Sequence, residues 1–291
     1  MILFIFEGET TEPLLYSSMK YLFMSKEKND IICSYKSNIY SLYNKMIANG
    51  TFNDTENDVS IIPLLQEHLR NIGELNHPLL SITRWSDISE IFLFFDYDCQ
   101  NKNPDNTYSL EENNQKIQEM FAFFNNETAA GKLYINYPMV ESIRYTKELP
   151  DSAFGTYTIP ITECHDKIFK NKVDSFSYYG SFDFLTLKFL PALQNTLSSV
   201  ESELNRQKLR SFWKQRKNRK NNWKLLIKQN VEKLFEITNN DKAGIHNKFE
   251  ITQEKLFEIQ KRDFVTKQIV SIICSISLFL YDYIPVERWL K

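Results

Sequence analysis

Glycine is scarce, at 7 of 291 residues. So few leave no flexible Gly/Ser linker and no glycine-rich loop to cradle phosphates, so nucleotide hydrolysis by this chain itself is not expected. Cysteine is sparse too. Cys33, Cys99, Cys164 and Cys274 form no CxxC pair, and nothing near Cys164-His165 completes a zinc site. Met1 runs straight into an apolar run and then an acidic loop, which predicts no secretory leader, reduced thiols and a cytoplasmic location. The longest apolar stretch, Ile269 to Tyr283, is shorter than the ~20 residues of a membrane span and reads as a buried C-terminal helix. His68, His77, His165 and His246 make no catalytic pattern.

Aromatics are plentiful instead. With 22 Phe and 15 Tyr, much of the core must pack ring on ring. The length suits one large domain or two ordinary ones.

The opening run MILFIF stops at Glu7-Gly8, as a strand buried on both faces does. Thr10 or Thr11 offers an N-cap to a helix with Pro13 in its first turn and Leu14, Leu15, Ser18, Met19 and Leu22 on one face. A strand at Ile31 to Tyr35 and a helix at Ile39 to Ala48 follow, the latter closed by Asn49-Gly50. After a polar loop, residues 51–58, a helix from Ile61 to Asn71 belongs to an insertion at about 50–85. The run Glu90 to Phe95 is the clearest strand and ends in Asp96-Tyr97-Asp98. Ser109 and Glu112 have capping-box spacing ahead of Ile117, Met120, Phe121 and Phe124, and Lys132 to Asn136 is another strand.

Strands alternating with amphipathic helices predict an α/β domain over residues 1–150, three-layered with a mostly parallel sheet. Residues 152–184 read as irregular, and long helical patterns from Leu185 to Leu280 predict a mainly α-helical C-terminal module over 151–291.

In parallel sheets, ligands bind outside the carboxyl ends of the strands. Glu7 follows the first strand, and Asp96 and Asp98 follow the later one. Two residues apart on extended backbone, these aspartates point the same way and Tyr97 the other. Such carboxylates suit a hard divalent cation, Mg²⁺ or Mn²⁺.

Three segments carry a resemblance: Glu7-Gly8-Glu9-Thr10-Thr11-Glu12-Pro13, Asp96-Tyr97-Asp98, and Asn136-Tyr137-Pro138-Met139-Val140-Glu141. In this order they resemble the EGxxTEP, DxD and N-x-P-x-x-E motifs of RloB-like, OLD-type TOPRIM-fold nucleases of bacterial phage-defence (abortive infection) systems. The resemblance covers roughly residues 1 to 150. It implies a TOPRIM-like domain, with Glu7 as general acid/base and Glu7, Asp96 and Asp98 as the metal-binding carboxylates. Glu141 would be an accessory catalytic residue and Glu12 a supporting one. It further implies a Mg²⁺-dependent endonuclease acting on RNA (tRNA among it) or DNA, a toxic effector triggered by an ATPase partner. The chain departs from the pattern in its long insertion and in Ser142 where an aromatic often follows the late Glu. A non-catalytic scaffold that binds such an ATPase is the alternative.

Arg144 and Lys147, just past Glu141, read either as phosphate-steadying cations or as plain surface charges. From Arg206 to Lys228 there are ten Lys/Arg and no acid, Arg210, Lys214, Arg216, Lys217, Arg219, Lys220 and Lys224 among them, with Trp213 and Trp223 interleaved. The whole chain carries −2, so everything outside this segment carries −12. That segregation fits nucleic-acid contact or an acidic protein partner. A homodimer is the default assembly expectation.

Overall fold

The computed structural model describes residues 1–24, 29–52, 60–102, 109–186, 203–238 and 252–285. Four parallel strands form its centre: β1 (Ile2–Phe6), β2 (Asp30–Ser34), β3 (Glu90–Asp96) and β5 (Gly131–Asn136). The two-residue β4 (Asn125–Asn126) adds an antiparallel edge, giving the order β2-β1-β3-β5-β4. Register is in step across the sheet, with Phe6 opposite Ser34 and Phe94, and Asp96 opposite Asn136. The central strands are buried along their length because every residue between the polar ends is apolar.

One face of the sheet is a lattice of rings. Phe4–Phe92, Phe6–Phe94 and Phe94–Tyr134 stack with centroids 5.4, 5.2 and 5.3 Å apart. Two helices cover it: α1 (Thr11–Phe23), through Tyr16 on Phe4 at 4.2 Å, and α8 (Ser275–Tyr283). Phe279 of α8 meets Phe4, Phe92, Phe94 and Tyr134 edge-on at 5.0–5.8 Å. Each such pair adds roughly 0.5–1.5 kcal/mol beyond the area it buries. On the other face lie α2 (Ile39–Ala48), α4 (Leu110–Phe123) and α7 (Gln253–Lys267). There Tyr35 packs on Phe95, Tyr97 stacks on Phe264 at 4.5 Å, and Phe121 meets Phe257. The protein is therefore α/β with a mostly parallel five-stranded sheet and a helical C-terminal part.

Local signals explain most boundaries. Ser109 accepts from the Glu112 N–H at 3.2 Å and caps α4, and Gly50 takes φ 70 after α2. Thr10 holds the cap position of α1 without a side-chain bond, and Leu14 is only half-buried on that helix. The segment read as an insertion folds onto the β2 edge. Its helix α3 (Ile62–Asn71) buries Leu64, Leu65 and Leu69. Most of the polar loop 51–58 lies outside the described residues.

Two expectations need correction. Residues 152–184 contain α5 (Asp166–Phe176), whose Phe169 and Val173 are fully buried. The run Ile269 to Tyr283 is not one helix. Its β-branched start forms β7 (Ile269–Ser271), paired antiparallel with β6 (Thr158–Pro160), and only Ser275–Tyr283 is helical. Ile and Val supply strand preference, and pairing with β6 decides the outcome. The longest helix, α6 (Glu203–Ile237), packs its second half on α8 and on the turn Phe154–Thr156. No helix among the described residues is long and apolar enough to cross a membrane.

Candidate functional site

Strands β2 and β3 flank β1 on opposite sides, so the chain reverses its winding direction at β1. Crevices at such a switch point, outside the carboxyl ends of the strands, are where open α/β sheets bind ligands. A pocket of about 330 Å³ lies there.

Its carboxylates arrive on four elements. Glu7 ends β1, and its Oε2 accepts the Asp96 N–H at 2.9 Å. Asp96 and Asp98 both line the pocket, while Tyr97 between them is fully buried and donates to Asn114 Oδ1 at 2.6 Å. Glu12 lies in the first turn of α1 and accepts the Gly8 N–H at 3.3 Å. A Cβ at position 8 would lie 2.6 Å from Glu12 Oε2, so the close approach requires glycine. Glu141 enters on the short turn Val140–Arg144 and is largely buried. The structure thus brings Glu7, Glu12, Asp96, Asp98 and Glu141 to one cavity.

Burial, and then crowding, make Glu7, Glu12 and Asp96 reluctant to ionise. Burial, then the charges of Glu12 and Asp98, push Glu7 up to about 8, against the opposing pull of the Asp96 N–H and Lys170. Burial and the charges of Glu7, Glu12 and Glu141 hold Asp96 well above the usual carboxylate range. Glu12 is raised as well, chiefly by burial. Asn136 opposes this at Asp96: its Nδ2 donates to Asp96 Oδ1 at 2.9 Å. The amide is aimed by Ser275, whose N–H and Oγ both donate to Asn136 Oδ1, at 2.9 and 2.8 Å.

Among the described residues, no three His, Cys, Asp or Glu side chains are arranged to hold a metal ion by themselves. The pocket suits a cation that takes only one or two carboxylates and completes its shell with water and phosphate oxygens, as Mg²⁺ does. Mutual repulsion among five acids is the feature a divalent charge would relieve.

Sequence reasoning missed Lys170 and His165, which also line the pocket. Lys170 Nζ stands 3.6 Å from Glu141 Oε1. The signal was available: Phe169, Val173 and Phe176 recur at i, i+4 and i+7, a helical stripe that places Lys170 beside it. Cys164 borders the pocket, but the Cys99 thiol bonded to it, together with burial, holds it protonated and no nucleophile.

Other candidates lie elsewhere. Arg144 is buried, donates to Asp174 Oδ1 at 2.6 Å and to the Tyr179 carbonyl at 2.9 Å, and does not line the pocket. Lys147 is exposed, its ammonium 5.1 Å from the Phe176 ring. In the basic segment Arg210, Trp213, Lys214 and Lys217 are exposed, whereas Trp223 is fully buried and bonded to the Leu185 carbonyl. Arg219 donates to the Thr186 carbonyl, Arg216 lies over Tyr21 at 5.3 Å and Lys220 over Phe23 at 5.7 Å; Lys224 is half-buried. Tyr21 and Phe23 sit at the far end of α1, some ten residues from the pocket, or about 15 Å at 1.5 Å per residue. The structure does not bring the basic segment to the carboxylates.

Comparison with known proteins found no matching family model, no matching curated protein and no matching solved structure.

Proposed function

We propose that the chain is a Mg²⁺- or Mn²⁺-dependent nuclease of the TOPRIM type that cleaves phosphodiesters of RNA, tRNA included, or DNA. The observation that carries this reading is the convergence of Glu7, Asp96 and Asp98, with Glu12 and Glu141, at the switch point of a parallel sheet. One or two of Asp96, Asp98 and Glu7 would hold the ion, water and phosphate oxygens completing its shell. When bound, it supplies charge stabilisation for a phosphate under attack. Glu7, placed beside Asp96 and Asp98 with its carboxyl held by the Asp96 N–H, is the group positioned for general acid/base work. The Asp96 N–H orients its carboxyl, and Asn136 orients Asp96. Lys170 offsets part of the negative charge beside Glu141. The motif resemblance adds a setting: a toxic effector of phage defence, restrained or triggered by an ATPase partner.

Glu7→Gln and Asp96→Asn test this. Each should lower Mg²⁺-dependent cleavage by a factor of about 100 or more while the circular dichroism spectrum stays unchanged. Full cleavage by either variant would overturn the mechanism. Sequencing RNA and DNA ends from expressing cells identifies the substrate.

The remoteness of the basic segment favours a second reading, a scaffold that docks the ATPase through Arg210, Lys214 and Lys217. Changing these three to Gln would then abolish partner capture and leave oligonucleotide binding intact.

A further inference from the structure

A second cleft, of about 410 Å³, opens at the same end of the sheet on the β2 side. Asn38, Ser41, Asn44, Lys45, Asn101 and Lys102 line it, and among the described residues no acid does. Its walls are tied to the carboxylate pocket through backbone. Asn101 N–H donates to the Asp98 carbonyl at 3.1 Å. Asn38 lies two residues after Lys36, whose N–H donates to the Glu7 carbonyl at 2.9 Å. At ~3.3 Å per extended residue, the cleft begins within about 10 Å of both acids.

Lys45 is the built part of this cleft. It is half-buried, and among the described residues no carboxylate lies within ion-pair distance of it. Its Nζ instead donates to His68 Nδ1 at 2.5 Å. The buried His68 is fixed in turn by its Nε2 donating to the Tyr35 carbonyl at 2.6 Å and by stacking on the Tyr35 ring at 4.2 Å. One ammonium proton is committed inward, and the cation is held in place with no carboxylate in direct contact among the described residues, Glu67 acting on it only at longer range. Burial lowers the Lys45 pKa, and the charge of Glu67 opposes this only in part. Asn38 and Asn101 amides bond to each other at 3.1 Å across the floor, and Asn113 donates to the Asn101 carbonyl at 2.8 Å, so the floor is fixed as well.

We propose that this cleft is a binding subsite for a phosphate, and the nucleoside attached to it, next to the phosphodiester that enters the carboxylate pocket. The proposal rests on the nuclease reading of that pocket and gives the substrate as a single nucleic-acid strand crossing the carboxyl edge of the sheet. Lys45 and Lys102 take the phosphate, and the Asn and Ser side chains, each with donors and acceptors, meet sugar or base. The path of the strand follows: the flanking nucleotide lies on the β2 side of the scissile one.

The test is fluorescence anisotropy of labelled eight-nucleotide RNA and DNA strands in EDTA, so that the carboxylate pocket contributes no metal-mediated binding. Wild type is compared with the Lys45→Gln/Lys102→Gln protein across a salt series. The double variant should lose about ten-fold or more in affinity, and its salt slope should fall by about 1.4, the share of two single-strand phosphate contacts. Unchanged affinity and slope in a variant of unchanged melting temperature would overturn the subsite. Loss of poly-glutamate binding with oligonucleotide binding retained would overturn it equally, in favour of an acidic protein. If Lys45→Gln fails to fold, Lys102→Gln alone must lower the slope by about 0.7. The two readings fail separately. Absent Mg²⁺-dependent cleavage with lysine-dependent oligonucleotide binding removes the nuclease and keeps the subsite. Cleavage by the double variant with unchanged KM removes the subsite alone.

Discussion

Replacing Glu7 with Gln removes one titratable group from the carboxylate pocket and keeps an oxygen to accept the Asp96 N–H. The folded protein holds the Glu7 proton up to about pH 8, whereas the unfolded chain releases it near 4.5. Below 4.5 both states are protonated and the residue has no effect. As pH climbs towards 8 the unfolded state gains by ionising, so metal-free wild type loses stability. One pH unit of separation is worth about 1.4 kcal/mol, which sets a ceiling of roughly 5 kcal/mol. The pocket opens to water, and screening reduces this to about 2 kcal/mol. With about 2.1 cal/mol/K of unfolding entropy per residue, the Gln variant should melt about 3 °C above wild type at pH 8 in EDTA. At pH 5 the two should nearly coincide. Millimolar Mg²⁺ should reverse the order by raising wild type and leaving the variant almost unmoved. Buried Lys233, lowered to about 7 by burial, acts between 7 and its unfolded 10.5 and is common to both proteins, so it cancels in the difference. A melting difference independent of pH, or a variant less stable than wild type at pH 8 without metal, would refute the account of a repelling pocket.

Asn136→Ala should lower unfolding stability by about 2–4 kcal/mol in urea denaturation, because it strips partners from Asp96 and twice from Ser275 at a fully buried position. Trp223→Ala should cost about 3–5 kcal/mol and Trp213→Ala under about 0.5, since the first ring is fully buried and the second is 52% exposed. Gly131→Ala should destabilise by about 2 kcal/mol or more, as φ 130 and a Cβ 2.8 Å from Leu93 Cδ1 both oppose it. Gly8→Ala should leave the melting temperature nearly unchanged while weakening Mg²⁺ binding in calorimetry, for only the far end of the Glu12 side chain must shift. An equal drop in stability at both glycines would count against this.

Much of the sheet was legible because its strands are continuous apolar runs ended by acids. MILFIF and the run Glu90 to Phe95 leave no alternative period, and the structure places β1 and β3 there. That Glu7, Asp96, Asp98 and Glu141 share a cavity could be read from their places after three parallel strands. Lys170 could not be read from that logic, because it comes from a helix in a Tyr/Phe-rich stretch whose apolar stripe is only three residues long. The split of Ile269 to Tyr283 was hidden for another reason. Buried strand and buried helix have the same composition there, and the partner that decides, β6, is three residues long and more than a hundred positions away. The basic segment had a clear composition but no position; only the packing of Arg216 and Lys220 on Tyr21 and Phe23 shows how far it lies from the carboxylates.

The pocket is also less local than its motifs suggest. Asn136 belongs to β5, yet the two bonds that aim its amide come from Ser275 at the start of α8. The backbones meet beside it, where Tyr137 and Ile273 exchange hydrogen bonds at 2.9 and 3.0 Å. Cys274 N–H donates to Asn230 of α6 at 2.9 Å, so the longest helix reaches the same point. Four turns of α6 separate Asn230 from Arg216, and the helix between them is anchored by buried Trp223. At 1.5 Å per residue the helix spans about 20 Å between Arg216 and Asn230, the latter bonded beside the Ser275 that aims Asn136. The helix that carries exposed Arg210, Lys214 and Lys217 thus also carries Asn230, whose Oδ1 accepts the Cys274 N–H one residue before the Ser275 that aims Asn136.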